Sequence, residues 1–407
     1  MRHVLGVLLL LLSAAALADP APAPLLSAGH PVDWWYTFKF NSASFPECSA
    51  GAARACAFGG TAQGYQHWGQ QYAYASSEQP TLQAGGGCAG DSTADPIGAT
   101  FDQIYNGNFN YVVWNDQFYD APKIAGCTKE CGSPWGHSKG VLAWNDAGEG
   151  VVMQVTTPSW PAAGNASHPR QGDGNTLGCV ADDDVEVSQG FFAAKLTKDD
   201  LVIVLQALAN GSVVTDTSNP QLARNGGPSD ILALVAGLGR KSNNTTAVQA
   251  TLSSGIVVIS KPSSLHVPPW QMVSALLGGV PLKAATWWAA PKIPSTSDPS
   301  QISCWSPTLP APGPVQIALS GQFGGKTFGF QGKPDPDGNH AKLGVSTGGD
   351  HPYSIFGDMN QQGAASGANC GSSQNGRGGT FYVVENQALH DSIASLLSGD
   401  VASGPVP

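Results

Sequence analysis

A short pattern occurs twice in this chain of 407 residues, and where it falls constrains the fold more than any other feature. Trp135-Gly136-His137-Ser138-Lys139-Gly140 runs into the apolar stretch Val141-Leu142-Ala143-Trp144, and Asn339-His340-Ala341-Lys342 runs into Leu343-Gly344-Val345. Each copy follows a glycine-containing turn and leads into small and apolar residues, as the start of a buried strand does. Side chains two apart on a strand face the same way. A strand holding both members would present His137 with Lys139, and His340 with Lys342, to a common site. An imidazole beside an ammonium suits a phosphodiester: the ring does nucleophilic or acid–base work and the ammonium holds the phosphate oxygens. One such pair is a common accident and reads equally well as an exposed strand edge. The second copy gives the pattern weight.

The elements around the copies repeat as well. Residues 30–40 (His30 to Phe40) are aromatic and β-branched and predict a strand. Its Trp34-Trp35 pair serves either as a stacking platform for bases or as core packing. Residues 41–95 are rich in Gly, Ala, Ser and Cys and predict irregular surface structure stapled by Cys48, Cys56 or Cys88. A strand over 109–114 precedes His137. A hairpin turn at Asn145-Asp146-Ala147-Gly148 then leads to a return strand over 150–156. Thr197-Lys198-Asp199-Asp200 predicts a capped helix with Leu201, Val204, Leu205 and Leu208 on one face, closed at Asn210-Gly211. Residues 215–230 predict a connection. Beyond it lie predicted strands at 255–260, 316–319 and 326–330 and a short helix at 270–277. A turn at 333–338 delivers His340. Tyr353-Ser354-Ile355-Phe356 then leads to Gly357-Asp358-Met359-Asn360, followed by a loop with Cys370, a strand at 380–384 and a last helix carrying Leu389, Ile393, Leu396 and Leu397. The expected class is α/β (α+β), in two halves of residues 19–215 and 216–407, each with one His-x-Lys motif and one mixed sheet flanked by helices. Two such halves suggest one site at a pseudo-twofold interface.

The amino end predicts export. Arg2, the apolar run 4–12 and Ala16-Leu17-Ala18 compose a signal peptide over 1–18. Its core is too short to span a bilayer, and no later run is long enough. Eight cysteines, an even number in an exported chain, favour disulfides, with about 105 possible pairings. Cys127 and Cys131, with no ligand cluster nearby, are poorly spaced for zinc. The formal charge of −10 becomes −11 once Arg2 is lost, which is unfavourable for a protein that handles a polyanion. Acid changes the balance. Of nine histidines His3 leaves with the leader, and protonating the other eight takes −11 to −3.

The ordered set of motifs resembles the deoxyribonuclease II family. The resembling residues are Pro31-Val32-Asp33-Trp34, Trp114-Asn115-Asp116-Gln117, Gly136-His137-Ser138-Lys139-Gly140-Val141-Leu142, His340-Ala341-Lys342, Gly357-Asp358-Met359-Asn360 and Gly378-Gly379-Thr380. They run in family order over nearly the whole exported chain. Departures are Asn145 where the family has Asp, Pro158-Ser159 where it has Pro-Asn, and Ala341 and Leu343 where it has a polar residue and Trp. The resemblance implies two phospholipase-D-like halves packed as a pseudo-dimer in one chain. It implies hydrolysis of DNA without a divalent metal or other cofactor, an acidic optimum and 3′-phosphate products. One imidazole attacks phosphorus and forms a phosphohistidine, and the other protonates the leaving 5′-oxygen. Lys139 and Lys342 hold the non-bridging oxygens, a role often given to a metal ion. Asn360 is expected to donate to the same phosphate or else to cap the Gly357-Asp358 turn. Asp358 is expected to be structural. His340 is the first choice for nucleophile and His137 for acid, although sequence does not decide the order.

Other classes remain open on the sequence. A metal-dependent phosphodiesterase would draw on Asp182-Asp183-Asp184 and Glu186, which read better as a solvated loop. A non-catalytic secreted binding module fits the Gly, Trp and Tyr content. Phospholipase activity is disfavoured, because Trp144 and Thr347 stand where that family places an acidic residue five positions after each lysine. His67, His168, His266, His351 and His390 show no partner pattern. Asn165, Asn210, Asn243 and Asn244 stand in glycosylation sequons.

Overall fold

The computed structural model describes residues 20–45, 70–127, 129–170, 177–179 and 186–404. The expected leader, Cys48, Cys56, His67 and the three aspartates 182–184 lie outside the described residues. No helix among the described residues is long and apolar enough to cross a membrane.

Leu25–Ser27 (β1) and His30–Pro31 (β2) form a small ribbon, followed by Trp34–Lys39 (β3), Tyr72–Ser76 (β4) and Gln83–Ala84 (β5). Helix Pro96–Tyr105 (α1) leads to Asn110–Asn115 (β6), Lys139–Trp144 (β7), Gly150–Val155 (β8) and Gln189–Leu196 (β9). Helix Lys198–Asn210 (α2), the short strand Ala223–Arg224 (β10) and helix Ser229–Ala236 (α3) come next. Then follow Val248–Thr251 (β11), Val257–Lys261 (β12), helix Pro269–Leu276 (α4), Leu282–Ala285 (β13) and Val315–Ile317 (β14). A hairpin of Ser320–Phe323 (β15) and Lys326–Gly329 (β16) precedes Leu343–Ser346 (β17), Tyr353–Gly357 (β18), Gly379–Glu385 (β19) and helix Gln387–Leu396 (α5).

Two sheets carry the molecule. The first has the order β10-β6-β7-β8-β9-β3-β4-β5 and the second β14-β13-β17-β18-β19-β12-β11. Pairing is antiparallel except between β13 and β14. The run β6-β7-β8-β9-β3 thus recurs as β13-β17-β18-β19-β12. In each run the second strand follows a His-x-Lys segment, and a helix follows the fourth strand. Chain membership changes from the first sheet to the second between Arg224 and Val248.

The sheets meet face to face. Tyr36 and Phe192 of the first stack on Phe356 of the second at 4.0 and 5.0 Å, and Phe192 meets Tyr382 at 5.4 Å. Apolar residues of α2, α3 and α5 complete this shared layer. α1 covers the outer face of the first sheet and α4 that of the second. This three-layer core is the mixed α/β (α+β) class expected.

Several expectations change here. The Trp34-Trp35 pair is buried, with Trp35 Nε1 donating to Thr100 Oγ1 at 3.0 Å, so it packs the core and offers no stacking face. Part of the stretch read as irregular is strand: Tyr72 and Tyr74 share one face of β4, which pairs with β3. The stretch 215–230 holds the edge strand β10, whose two residues were too few to register as a period. Helices α1 and α3 were also unread, α1 opening on Asp95, whose side chain accepts from Gly98 N–H at 2.9 Å. The expected cap of α2 is present, with Thr197 and Asp200 bonding reciprocally. Disulfides join Cys88–Cys179, Cys127–Cys131 and Cys304–Cys370. His351 faces Glu385 at 2.8 Å, and His390 Nε2 lies 2.8 Å from Ser346 O.

Candidate active site

Neither motif sits in its strand as expected. β7 begins at Lys139 and β17 at Leu343, so His137, His340 and Lys342 lie on the backbone just ahead of the strands. The reason is that each histidine amide bonds to the other half. His137 N–H donates to Gly378 O at 2.9 Å, just before β19, and His340 N–H donates to Ser188 O at 2.7 Å, just before β9. Glycine makes the first of these crossings possible. A Cβ on Gly136 or Gly378 would lie 2.4 or 2.2 Å from Gly211 O, inside any tolerable contact.

The crossings bring both motifs to one cleft of about 380 Å³. Its lining includes His137, His340, Lys342 and Asn360, with Gln117, Trp287, Gln374 and Arg377 around them. Lys139 is buried beside the cleft, where its ammonium meets Asp116 Oδ1 at 2.6 Å. Arg377 donates to the other carboxylate oxygen at 2.8 Å. Burial opposes ionisation of Asp116, but Lys139, His137 and Arg377 together hold its carboxyl well below the usual range.

The second half lacks this carboxylate. Asn115 stands opposite Lys139 in the β6–β7 ladder, and Ala285 stands opposite Leu343 in the β13–β17 ladder. Continuing that register sets Thr286 opposite Lys342 and puts Trp287 where the first half has Asp116. The Trp287 ring meets His340 edge-on at 4.2 Å. Lys342 Nζ donates to His340 O at 2.5 Å.

The imidazoles differ in the same way. His137 Nδ1 lies 2.8 Å from Asp358 O. A carbonyl only accepts, so Nδ1 carries the proton and the neutral ring keeps its lone pair on Nε2. His340 Nδ1 is buried and has no hydrogen-bond partner among the described residues. Burial, then the neighbouring lysine of each motif, pushes both rings well below the ordinary imidazole pKa. Burial and then Lys139 lower Lys342 as well.

Asp358 is structural, as expected. Its carboxylate accepts from Gln154 Nε2 at 2.5 Å and Thr380 Oγ1 at 2.7 Å, and burial raises its pKa to about 6. Asn360 is buried at the cleft; its backbone N–H donates to Gln374 Oε1 at 3.3 Å and its Oδ1 has no hydrogen-bond partner among the described residues. Asn145, one of the departures noted from the sequence, accepts from Ala147 N–H and Glu149 N–H at 3.0 Å each and shapes the hairpin. Glu186 is exposed.

Sequence reasoning missed Asp116, Arg377 and Trp287. The first belongs to the motif Trp114-Asn115-Asp116-Gln117 and the second adjoins Gly378-Gly379-Thr380, so a signal was present. Trp287 had none, because its place follows only from strand register. The family model described as Deoxyribonuclease II matches residues 24–399 of the chain. No curated protein matches it.

Proposed function

The chain belongs to the deoxyribonuclease II family and is a phosphodiester hydrolase acting on DNA; from that premise we propose that it is an acid endonuclease working without a metal ion, through a phosphohistidine, to 3′-phosphate products. The observation that carries this reading is the convergence of His137, His340 and Lys342 from two halves on one cleft, with Lys139 buried beside it. The halves act as a pseudo-dimer in one chain, divided between Arg224 and Val248, and neither holds a complete site. The three disulfides among the described residues support an exported, oxidising compartment.

We assign His137 as nucleophile and His340 as proton donor, the reverse of the order favoured from sequence. Asp358 O fixes the His137 tautomer with Nε2 free, and nucleophilic attack needs that nitrogen unprotonated. Nε2 forms a bond to phosphorus, the bond to the 5′-oxygen breaks, and His340 gives that oxygen its proton. Water then attacks phosphorus and yields its proton to His340. The P–N bond breaks, the 3′-phosphate leaves and His137 is restored. Lys342 and the Asn360 side chain lie where they can hold the non-bridging oxygens. Lys139, already paired with Asp116, contributes field more than contact. The depressed imidazoles support an acidic optimum, since burial and Lys342 disfavour the protonated, proton-donating form of His340 at neutral pH.

The test is nicking of supercoiled plasmid by the exported form of the protein at pH 5 and pH 8 with excess chelator. Nicking at pH 5 alone, lost in His137→Ala and His340→Ala, is expected. Nicking abolished by chelator, or none at all, overturns the reading. The role order has its own check in thymidine 3′-(p-nitrophenyl phosphate), whose leaving group needs no proton. His340→Ala should keep the first-turnover burst of p-nitrophenol from that ester, its later hydrolysis step being slowed, while His137→Ala loses the burst. The opposite outcome restores the sequence-based order.

A further inference from the structure

We propose that residues 375–378 form a strap that positions the first half's His137, and that Lys261, which the reaction does not use, is its anchor. The proposal rests on the reading of the cleft given above. Four consecutive carbonyls of this segment are all engaged. Asn375 O accepts from Lys261 Nζ at 2.7 Å, Gly376 O from Ser133 Oγ at 2.6 Å, Arg377 O from Lys261 Nζ at 2.9 Å, and Gly378 O from His137 N–H at 2.9 Å. Lys261 comes from the second half, and Ser133 and His137 come from the first. The strap is therefore stapled from both sides.

Lys261 ends β12 and is fully buried. Its remaining contact is Pro262 O at 3.4 Å, so its hydrogen-bond partners are all carbonyls. A buried ammonium without a carboxylate is costly, and an apolar side chain would pack the same space at less cost. What the ammonium does that an apolar chain cannot is fix two carbonyls of one loop at once.

The strap leads directly to the site. The Arg377 side chain donates to Asp116 Oδ2 at 2.8 Å, to Gly136 O at 2.8 Å and to Trp135 O at 3.1 Å. Asp116 in turn holds Lys139. Gln374, just ahead of the strap, accepts the Asn360 backbone N–H. A shift of the strap moves the His137 backbone, the partner of Lys139 and the support of Asn360 together. Misplacement by about 1 Å costs on the order of 100-fold in rate. Lys261 is a positioning residue, acting through Arg377 and Gly378.

The experiment uses the whole exported chain with variants Lys261→Met, Arg377→Gln, the double variant and Ser133→Ala. Lys261→Met is expected to lower kcat on a short duplex about 10- to 100-fold, with KM changed by less than about threefold. In the Arg377→Gln background the same substitution should cost less than about threefold, since the two act in series. Amide exchange at His137 should quicken in Lys261→Met. Activity within twofold of wild type, or effects that multiply in full, overturns the proposal. Should Lys261→Met fail to fold, Ser133→Ala removes a staple without leaving a charge. A drop in its kcat supports the strap, and a wild-type kcat overturns it. If the wild type does not cleave DNA, the functional reading fails by itself. His137 exchange then still decides the anchor, because unchanged exchange in Lys261→Met overturns it.

Discussion

Asp116 and Asp358 show how two buried carboxyls near one cleft take opposite charge states. Asp116 has two cations against it and stays ionised. Asp358 has amide and hydroxyl donors, and burial lifts it to about 6. The consequences for stability have opposite sign. A carboxyl depressed in the fold stabilises above its unfolded pKa of about 3.9 and loses that contribution only as pH falls through the folded value. Asp116 therefore still supports the fold in mild acid. A carboxyl raised in the fold contributes fully below about 3.9 and loses its contribution as pH rises through the folded value. Asp358 therefore favours an acid-stable protein. Urea unfolding of wild type and Asp358→Asn from pH 4 to pH 7 tests this. The wild type should lose about 2 kcal/mol relative to the variant across that range. A difference that stays flat with pH would mean that Asp358 is ionised throughout.

Among the elements, α2 ties the halves together, and its cap shows the bond. Thr197 and Asp200 cap each other, and Asp200 also accepts from Ser253 N–H at 2.7 Å, from the turn between β11 and β12. Thr197→Ala should cost about 1 kcal/mol, as for an ordinary lost cap. Asp200→Ala should cost roughly twice that, because a link to the second half goes with it. Equal losses in equilibrium denaturation would leave Asp200 as a cap alone. This cap was legible in the sequence, since Thr197-Lys198-Asp199-Asp200 states its own chemistry within four residues. The same holds for α5 with Leu389, Ile393 and Leu396 on one face, and for the strands after each His-x-Lys. What was not legible is long-range. β10 is two residues long, and β4 pairs with β3 across more than thirty residues. The site follows the same division. His137, Lys139, His340 and Lys342 announced themselves by local pattern, and Asn360 by the resembling motif it ends. Arg377 reaches Asp116 across 261 positions, and the place of Trp287 beside His340 depends on a register that no local spacing encodes.

On the scale of the whole molecule, an acidic chain has to hold a polyanion. Its formal charge of −10 gives no long-range attraction at neutral pH. Favourable contacts are therefore expected at the cleft, where the lining cations are Lys342 and Arg377. Lys139 is already balanced by Asp116. Protonation of one imidazole in acid adds a third charge. Counterion release should then be small: with about two to three phosphates neutralised, log K should fall against log salt with a slope of about −2 to −3. Lower pH should tighten binding with little change in that slope, since it reduces the net negative charge without adding phosphate contacts. The measurement is fluorescence anisotropy of a labelled duplex with the His340→Ala variant, titrated with salt at pH 5 and pH 7. That variant lacks one imidazole, so its slope should be near −2 at both values. A slope of about −6 or steeper would require an extended basic track outside the cleft, and the two-motif cleft would no longer account for how this protein grips DNA.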